Sequence, residues 1–321
     1  MPQSVCVTRV IPQPGIDLLK EHFTVHVNEK DTPLSQDELA QAASSHDALV
    51  TLLTDRVDSS VVEAGKGRLK VVANVAVGYD NIDAQAADDR GIIVTNTPGI
   101  LTDTTADFAW ALLMAAGRRV AEGDRFVRAG HFQGWGIMML LGGDVHGKTL
   151  GLVGFGRIGQ AMARRARGFD MKVLYFDPAI TNFDAARDAG AEQVSLDELF
   201  RRSDFVSVHT PLTQDTHHLI DSDALASMKS SACLINTSRG PVVDEPALAQ
   251  ALRTGVIAGA ALDVFEREPA VDPQLLGLEN VLLTPHIASA TVETRTRMAT
   301  MAAENVIAVL SGDAAPNAVR A

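Results

Sequence analysis

Short apolar runs alternate along the whole chain with stretches whose apolar positions recur every three or four residues. That alternation predicts βαβ units built on parallel sheets, and so an α/β protein throughout. In the N-terminal part the apolar runs 5–10, 48–53, 69–77 and 91–96 read as strands. Helical periodicity covers 15–21 and 35–43, where Ser35 followed by Glu38 has the spacing of a capping box. None of these strands runs into a glycine-rich turn, so this part is not expected to be the nucleotide-binding half.

Pro98 and Gly99 interrupt the pattern, and a long amphipathic stretch, 102–119, follows. The segment 122–147 is glycine-rich and reads as loose, although it carries Trp135 and the apolar run 138–141. A second series of strands then appears at 149–153, 172–176, 205–209, 233–236, 259–264 and 281–284, the six of a full dinucleotide-binding sheet. The stretch 291–310 reads as one long helix ending at Ser311-Gly312.

Composition narrows the class. The 321 residues are 46% hydrophobic and 21% charged, with 40 acidic against 28 basic side chains and a formal net charge of −12. An acidic surface opposes nucleic acid and anionic membranes as partners. The two cysteines, Cys6 and Cys233, lie in apolar runs without a second ligand at metal spacing, which argues against a disulfide scaffold or a zinc module. The longest uninterrupted apolar segment, 109–116, is too short to span a bilayer, and no leader is evident, so a soluble, cytoplasmic protein is expected.

The strand-like TLGLV runs directly into Gly154, Gly156 and Gly159, and an amphipathic helix follows. Glycine suits the first position for the tight turn, the second for close approach of backbone to a pyrophosphate, and the third for packing helix on strand. Asp177 stands at the end of the next strand, where a carboxylate accepts hydrogen bonds from ribose hydroxyls and repels a 2′-phosphate. With no Arg or Lys among Pro178, Ala179 and Ile180, NAD is expected rather than NADP.

Ligands of open α/β sheets bind beyond the carboxyl ends of the strands. There the sequence places His209-Thr210-Pro211, Thr237-Ser238-Arg239-Gly240, Asp263 through Glu268-Pro269, and Thr284-Pro285-His286. Reducing a carbonyl with a dihydronicotinamide requires a proton at oxygen as hydride reaches carbon. His286 suits that role as general acid, with Glu268 on its other ring nitrogen fixing the tautomer. Arg239 stays protonated, and its planar fork suits an α-keto carboxylate. His217 and His218 are adjacent and cannot share a helix face, and His209 reads as a strand terminus.

GFGRIG, NTSRG, LDVFEREP and TPHIAS, in this order, resemble the D-isomer-specific 2-hydroxyacid dehydrogenase family. LLTDRVD, VAVGYDNID and TPGILTDTTADFAWALLMAAGR extend the likeness over nearly the whole chain. The resemblance implies two Rossmann-like domains. Residues 1–98 with 287–321 would form a discontinuous, flavodoxin-like substrate domain, and residues 99–286 an inserted NAD(P)-binding Rossmann domain. It also implies a homodimer formed through the nucleotide domain, with the glycine-rich arm before Thr149 reaching the partner.

By motif, Arg239, Glu268 and His286 match the family's catalytic residues. Backbone N–H groups of Val77 and Gly78 match its carboxylate-binding loop. Thr105, Arg157, Ile158, Thr210, Pro211, Thr237 and Asp263 match positions lining the dinucleotide, together with the three glycines and Asp177. Leu53 and Trp135 fall where the glyoxylate and hydroxypyruvate reductase branch lines its substrate pocket. Asn74 stands near the position where phosphoglycerate-oxidising relatives tend to have Arg, Glu268 where formate dehydrogenases have Gln, and Ala76 where phosphite-oxidising ones have Lys. A small, uncharged-tailed 2-oxo acid is therefore expected, glyoxylate or hydroxypyruvate first, pyruvate or a sugar-derived 2-oxo acid behind. Two other readings stay open: oxidation of an unusual donor such as phosphite, disfavoured by Ala76, and a dinucleotide-sensing interaction protein. Such sensors usually carry appended segments, whereas this chain ends soon after its last predicted helix.

Overall fold

The computed structural model describes residues 3–179 and 184–319. The chain divides into two compact units, Met1–Leu101 with Ser289–Ala321, and Thr102–Ala288.

In chain order the first unit holds β1 (Ser4–Val7), α1 (Gln13–Lys20), β2 (Thr24–Val27), α2 (Gln36–Ser45), β3 (Ala48–Thr51), α3 (Ser59–Ala64), β4 (Val71–Asn74), α4 (Ala84–Asp88) and β5 (Ile93–Thr95). The strands form one parallel sheet ordered β2-β1-β3-β4-β5. Every residue of β1, β3 and β4 is buried, as continuous apolar runs require when helices cover both faces. Alternate residues serve opposite faces: Val5 and Val7 pack with Val50, Val71 and Ala73, while Cys6 packs with Leu49, Val72 and Val94. The capping box forms, with Ser35 Oγ accepting from Glu38 N and the Glu38 carboxylate accepting from Ser35 N at 2.8 Å. The run expected as a strand over 69–77 pairs only at Val71–Asn74, and residues 75–77 turn away as a loop. Strand β2 was not evident in the sequence. It lies at the sheet edge with alternately exposed residues, so its apolar signal is half that of the buried strands.

The second unit opens with α5 (Thr102–Gly117) and α6 (Val120–Arg128). It continues through β6 (Thr149–Val153), α7 (Arg157–Ala166), β7 (Lys172–Phe176), α8 (Asp184–Ala189), β8 (Ala191–Gln193), α9 (Leu196–Arg202) and β9 (Phe205–Val208). Then come α10 (Ser222–Ser227), β10 (Cys233–Asn236), α11 (Glu245–Thr254), β11 (Gly259–Leu262), α12 (Pro273–Leu276) and β12 (Val281–Leu283). The sheet is parallel and ordered β12-β11-β10-β9-β6-β7-β8. It has seven strands rather than six, because the short, half-exposed β8 adds an edge that its sequence, Ala-Glu-Gln, does not advertise. The segment expected to be loose begins within α6, whose residues are all at least partly exposed despite its amphipathic sequence. From β6 the chain builds outward through β7 and β8, then returns to lay β9 against the other side of β6. The carboxyl end of β6 is thus the topological switch point, where open α/β sheets take their ligands.

The last helix, α13 (Val292–Leu310), belongs to the first unit and starts at the N-cap Thr291. Its Met298, Ala299, Ala302, Ala303 and Val306 cover the face of the sheet that holds Val5 and Val7. A Cβ at Gly15 would stand 2.8 Å from the Ala299 carbonyl oxygen, so α1 and α13 meet at a distance only glycine permits. Among the described residues no helix is long and apolar enough to cross a membrane.

Candidate active site

At the switch point Gly154 has φ +95°, and a Cβ there would lie 2.6 Å from the His209 carbonyl oxygen at the end of β9. Gly156 is the N-cap of α7 without a capping side chain, and nothing lies within 4 Å of where its Cβ would stand. A Cβ at Gly159 would collide with the Gly154 carbonyl oxygen. The three glycines therefore serve the turn, an open approach to backbone, and helix packing in that order. First-turn N–H groups of α7 face outward at Arg157, which is exposed, and Ile158, which is half-buried.

Asp177 follows β7 and braces this turn, accepting from Phe155 N at 2.7 Å on one oxygen and from Ala179 N at 2.9 Å on the other. Each oxygen retains a further acceptor position. Pro178 and Ala179 carry no charge, and Ile180 lies outside the described residues. Thr237, just past β10, is 8% exposed, and its hydroxyl is buried without a hydrogen-bond partner among the described residues. An orphaned hydroxyl and an open glycine at a helix start fit a bound dinucleotide. Thr210 and Pro211 lie just past β9, with the Thr210 hydroxyl donating to Pro211 O at 3.2 Å. Thr105 is buried in α5.

The polar residues beyond β10, β11 and β12 meet one another. His286 Nδ1 lies 2.8 Å from Glu268 Oε2, and the other oxygen of Glu268 accepts from Phe265 N at 3.0 Å. Burial pushes the Glu268 carboxyl up. The hydrogen bond and charge of His286, the Phe265 N–H and the Arg239 charge outweigh it and hold the group below its usual range. With Nδ1 engaged, Nε2 of His286 is the nitrogen left for a reacting oxygen.

Arg239 is set by a turn in which Asn236 Oδ1 accepts from Ser238 N at 3.0 Å and Asn236 Nδ2 donates to Arg239 O at 2.9 Å. Gly240 follows directly against the backbone of Phe265, with no space for a side chain, so the arginine loop and the Glu268 loop pack as one body. Asp263 is fully buried. Its carboxylate accepts from Thr284 Oγ1 at 2.6 Å, Ile287 N at 2.9 Å and Ala288 N at 2.8 Å.

Glu245, which the sequence reading did not single out, and His218, which it set aside, support the same loop. Glu245 accepts from Glu266 N at 2.7 Å and donates its own N–H to Glu266 Oε1 at 3.0 Å, while His218 Nε2 stands 3.1 Å from that oxygen. The signal of Glu245 was faint, since a glutamate opening a helix reads as a solvated first-turn charge. His209 Nε2 meets Ser207 Oγ at 2.9 Å, and burial lowers its pKa to about 3.

In the other unit, Leu53 lies in the turn after β3, and Val77 and Gly78 in the loop after β4. Neither the Val77 nor the Gly78 N–H has an acceptor among the described residues. Trp135, on the segment after α6, is 80% exposed.

The chain is similar over its length to known proteins. The family described as D-isomer specific 2-hydroxyacid dehydrogenase, NAD binding domain, matches residues 110–288. A glyoxylate reductase of Korarchaeum cryptofilum is 54% identical over 321 residues, covering 99% of this chain and 96% of the relative. A solved structure described as a putative D-isomer specific 2-hydroxyacid dehydrogenase from a Polaromonas species superposes with a TM-score of 0.92 at 36% identity, covering 100% of both chains. An NADPH-dependent glyoxylate/hydroxypyruvate reductase from Sinorhizobium meliloti, solved with NADP and malonate, gives 0.86 at 32% identity, covering 99% of this chain and 97% of its own.

Proposed function

The chain belongs to the D-isomer-specific 2-hydroxyacid dehydrogenase family, and from that premise we propose that it reduces a small 2-oxo acid, glyoxylate or hydroxypyruvate first, with NADH as the preferred donor. It is an NAD(P)-dependent oxidoreductase acting on a CH–OH group. The observation that carries the assignment of roles is the 2.8 Å contact between His286 Nδ1 and Glu268 Oε2.

When bound, the nicotinamide supplies the hydride that adds to the carbonyl carbon. His286 delivers the proton from Nε2 to the carbonyl oxygen, and Glu268 holds the opposite nitrogen and favours the imidazolium that donates. Arg239 takes the substrate carboxylate in its planar fork and polarises the neighbouring carbonyl. The N–H groups of Val77 and Gly78 receive carboxylate oxygen, and Leu53 and Trp135 set the size of the substituent. On the nucleotide side, Gly154, Gly156, Arg157, Ile158 and Gly159 receive the pyrophosphate and Asp177 the ribose. Thr105, Thr210, Pro211, Thr237 and Asp263 complete that lining. Relatives named glyoxylate reductase support this reading over phosphite oxidation or dinucleotide sensing.

The assembly we propose is a homodimer through the nucleotide unit. Val127 on α6 and Phe132, Ile137 and Met138 beyond it are all more than half exposed, an apolar patch that a second copy would cover. A monomer in sedimentation at micromolar concentration rejects it. A cytoplasmic setting suits Cys6 and Cys233, both buried free thiols.

The activity is tested by following loss of NADH absorbance, with NADPH in parallel, over glyoxylate, hydroxypyruvate, pyruvate, phenylpyruvate and 2-ketogluconate. Turnover of the smallest acids with NADH is expected. Silence across the panel, in protein that binds NADH, rejects the reductase reading.

A further inference from the structure

The loop after β4 presents three consecutive carbonyl groups, and each is held from behind. Ala76 O accepts from Thr97 N at 2.8 Å, Val77 O from Asn96 Nδ2 at 2.8 Å, and Gly78 O from Asn74 Nδ2 at 2.9 Å. Among the described residues the one cis peptide bond is Glu268-Pro269, so the bonds joining Ala76, Val77 and Gly78 are trans. In a planar trans peptide the N–H points opposite to the C=O. Fixing the Ala76 carbonyl therefore aims the Val77 N–H, and fixing the Val77 carbonyl aims the Gly78 N–H. Both holding groups come from the neighbouring pair Asn96 and Thr97, so both N–H groups turn away from the end of β5. Neither donates within the described chain. Two adjacent N–H groups aimed alike form a concavity for a single anion, and a carboxylate is the anion whose two oxygens suit it.

Asn96 is itself anchored rather than swinging. Its N–H donates to Asn317 O at 3.3 Å, and its carbonyl accepts from Asn305 Nδ2 at 3.3 Å. Asn305, fully buried on α13, in turn accepts from the N and Nδ2 of Asn317, each at 3.2 Å. On the other flank Asn74 is fully buried, with its Oδ1 taking the Thr51 hydroxyl at 3.1 Å. The loop is thus locked from β3, β5, α13 and the C-terminal segment together.

We propose that Asn96 is a positioning residue for substrate. Its side-chain amide pins the Val77 carbonyl so that the Gly78 N–H, beside the Val77 N–H that Thr97 sets through the Ala76 carbonyl, stands preorganised for the carboxylate of the 2-oxo acid. The inference rests on the reading of Val77 and Gly78 given above. It adds that carboxylate affinity depends on a side chain that never touches the substrate.

The test compares Asn96→Ala and the isosteric Asn96→Asp, which keeps the volume and loses the donor, with the wild-type protein. For each, kcat and KM for glyoxylate are measured at saturating NADH, NADH affinity by fluorescence titration, and the melting temperature. The loss of one preorganised, charge-assisted contact is expected to raise KM roughly tenfold or more, with kcat within a few-fold and NADH affinity unchanged. If the wild type reduces glyoxylate and both variants keep KM within about twofold, the proposal is overturned, since such a change is below the worth of one hydrogen bond. Loss of folding in both variants, or a joint fall of kcat and melting temperature at constant KM, makes Asn96 architectural and overturns it equally. A wild type that reduces no 2-oxo acid defeats the functional reading itself, which is a separate result.

Discussion

The backbone N–H of His286 donates to the carbonyl oxygen of Asp263 at 2.9 Å, and the Asp263 carboxylate holds the next two amides, Ile287 and Ala288. His286 is held at φ +54°, a region that residues other than glycine seldom occupy, so its conformation depends on these bonds. One buried aspartate thereby sets the backbone around His286 from beneath. Asp263→Asn replaces one acceptor oxygen with a donor facing N–H groups. The expected cost is about 1–3 kcal/mol in urea unfolding, with a fall in kcat. An unchanged unfolding midpoint with weakened NADH binding would confine Asp263 to lining the dinucleotide.

Glu268→Gln keeps the shape of the contact to His286 and removes its charge. The high-pH limb of the reduction profile is expected to move toward acid, because the carboxylate charge beside the ring is gone. An unmoved limb breaks the assigned pairing. Stability has its own pH signature. The folded Glu268 carboxyl lies below its ordinary 4.5, so its contribution is present above that pH and fades as the pH falls through the folded value. In Glu268→Gln that acid-side slope becomes shallower.

Arg239→Ala removes the fork expected to clamp the carboxylate. A loss of kcat/KM of about a hundredfold or more is expected, and Arg239→Lys recovers only part, since a point charge cannot bind two oxygens at once. Turnover of the alanine variant within a few-fold of wild type makes the clamp assignment wrong.

Asp177→Ala should lower the ratio of kcat/KM with NADH to that with NADPH. The variant also frees the Phe155 and Ala179 amides that Asp177 binds, so both cofactors should bind more weakly while the preference narrows. A wild-type enzyme that already prefers NADPH contradicts the role given to Asp177.

Strands buried on both faces, such as β4 and β10, were legible because every position is apolar and the length of the run marks the strand. Edge strands β2 and β8 were not, since half or more of their residues meet solvent and carry no apolar demand. Helix α6 escaped for a related reason: its apolar side chains Val120 and Val127 stay exposed, so within one chain no core accounts for them.

The sequence by itself determined the α/β class, the glycine turn and the order of Arg239, Glu268 and His286 after successive strands. Each of these is a local property, carried by periodicity or by a short motif. Only the tertiary structure decided which polar atoms meet, because parallel strands bring together loop ends that are far apart along the chain. Asn305 reaches Asn96 across 209 residues and Asp263 reaches Ala288 across 25, and no periodicity encodes such pairs. Burial patterns report that a side chain is inside. Which carbonyl it pins, and so which way the next N–H is aimed, follows from the packing of strand ends.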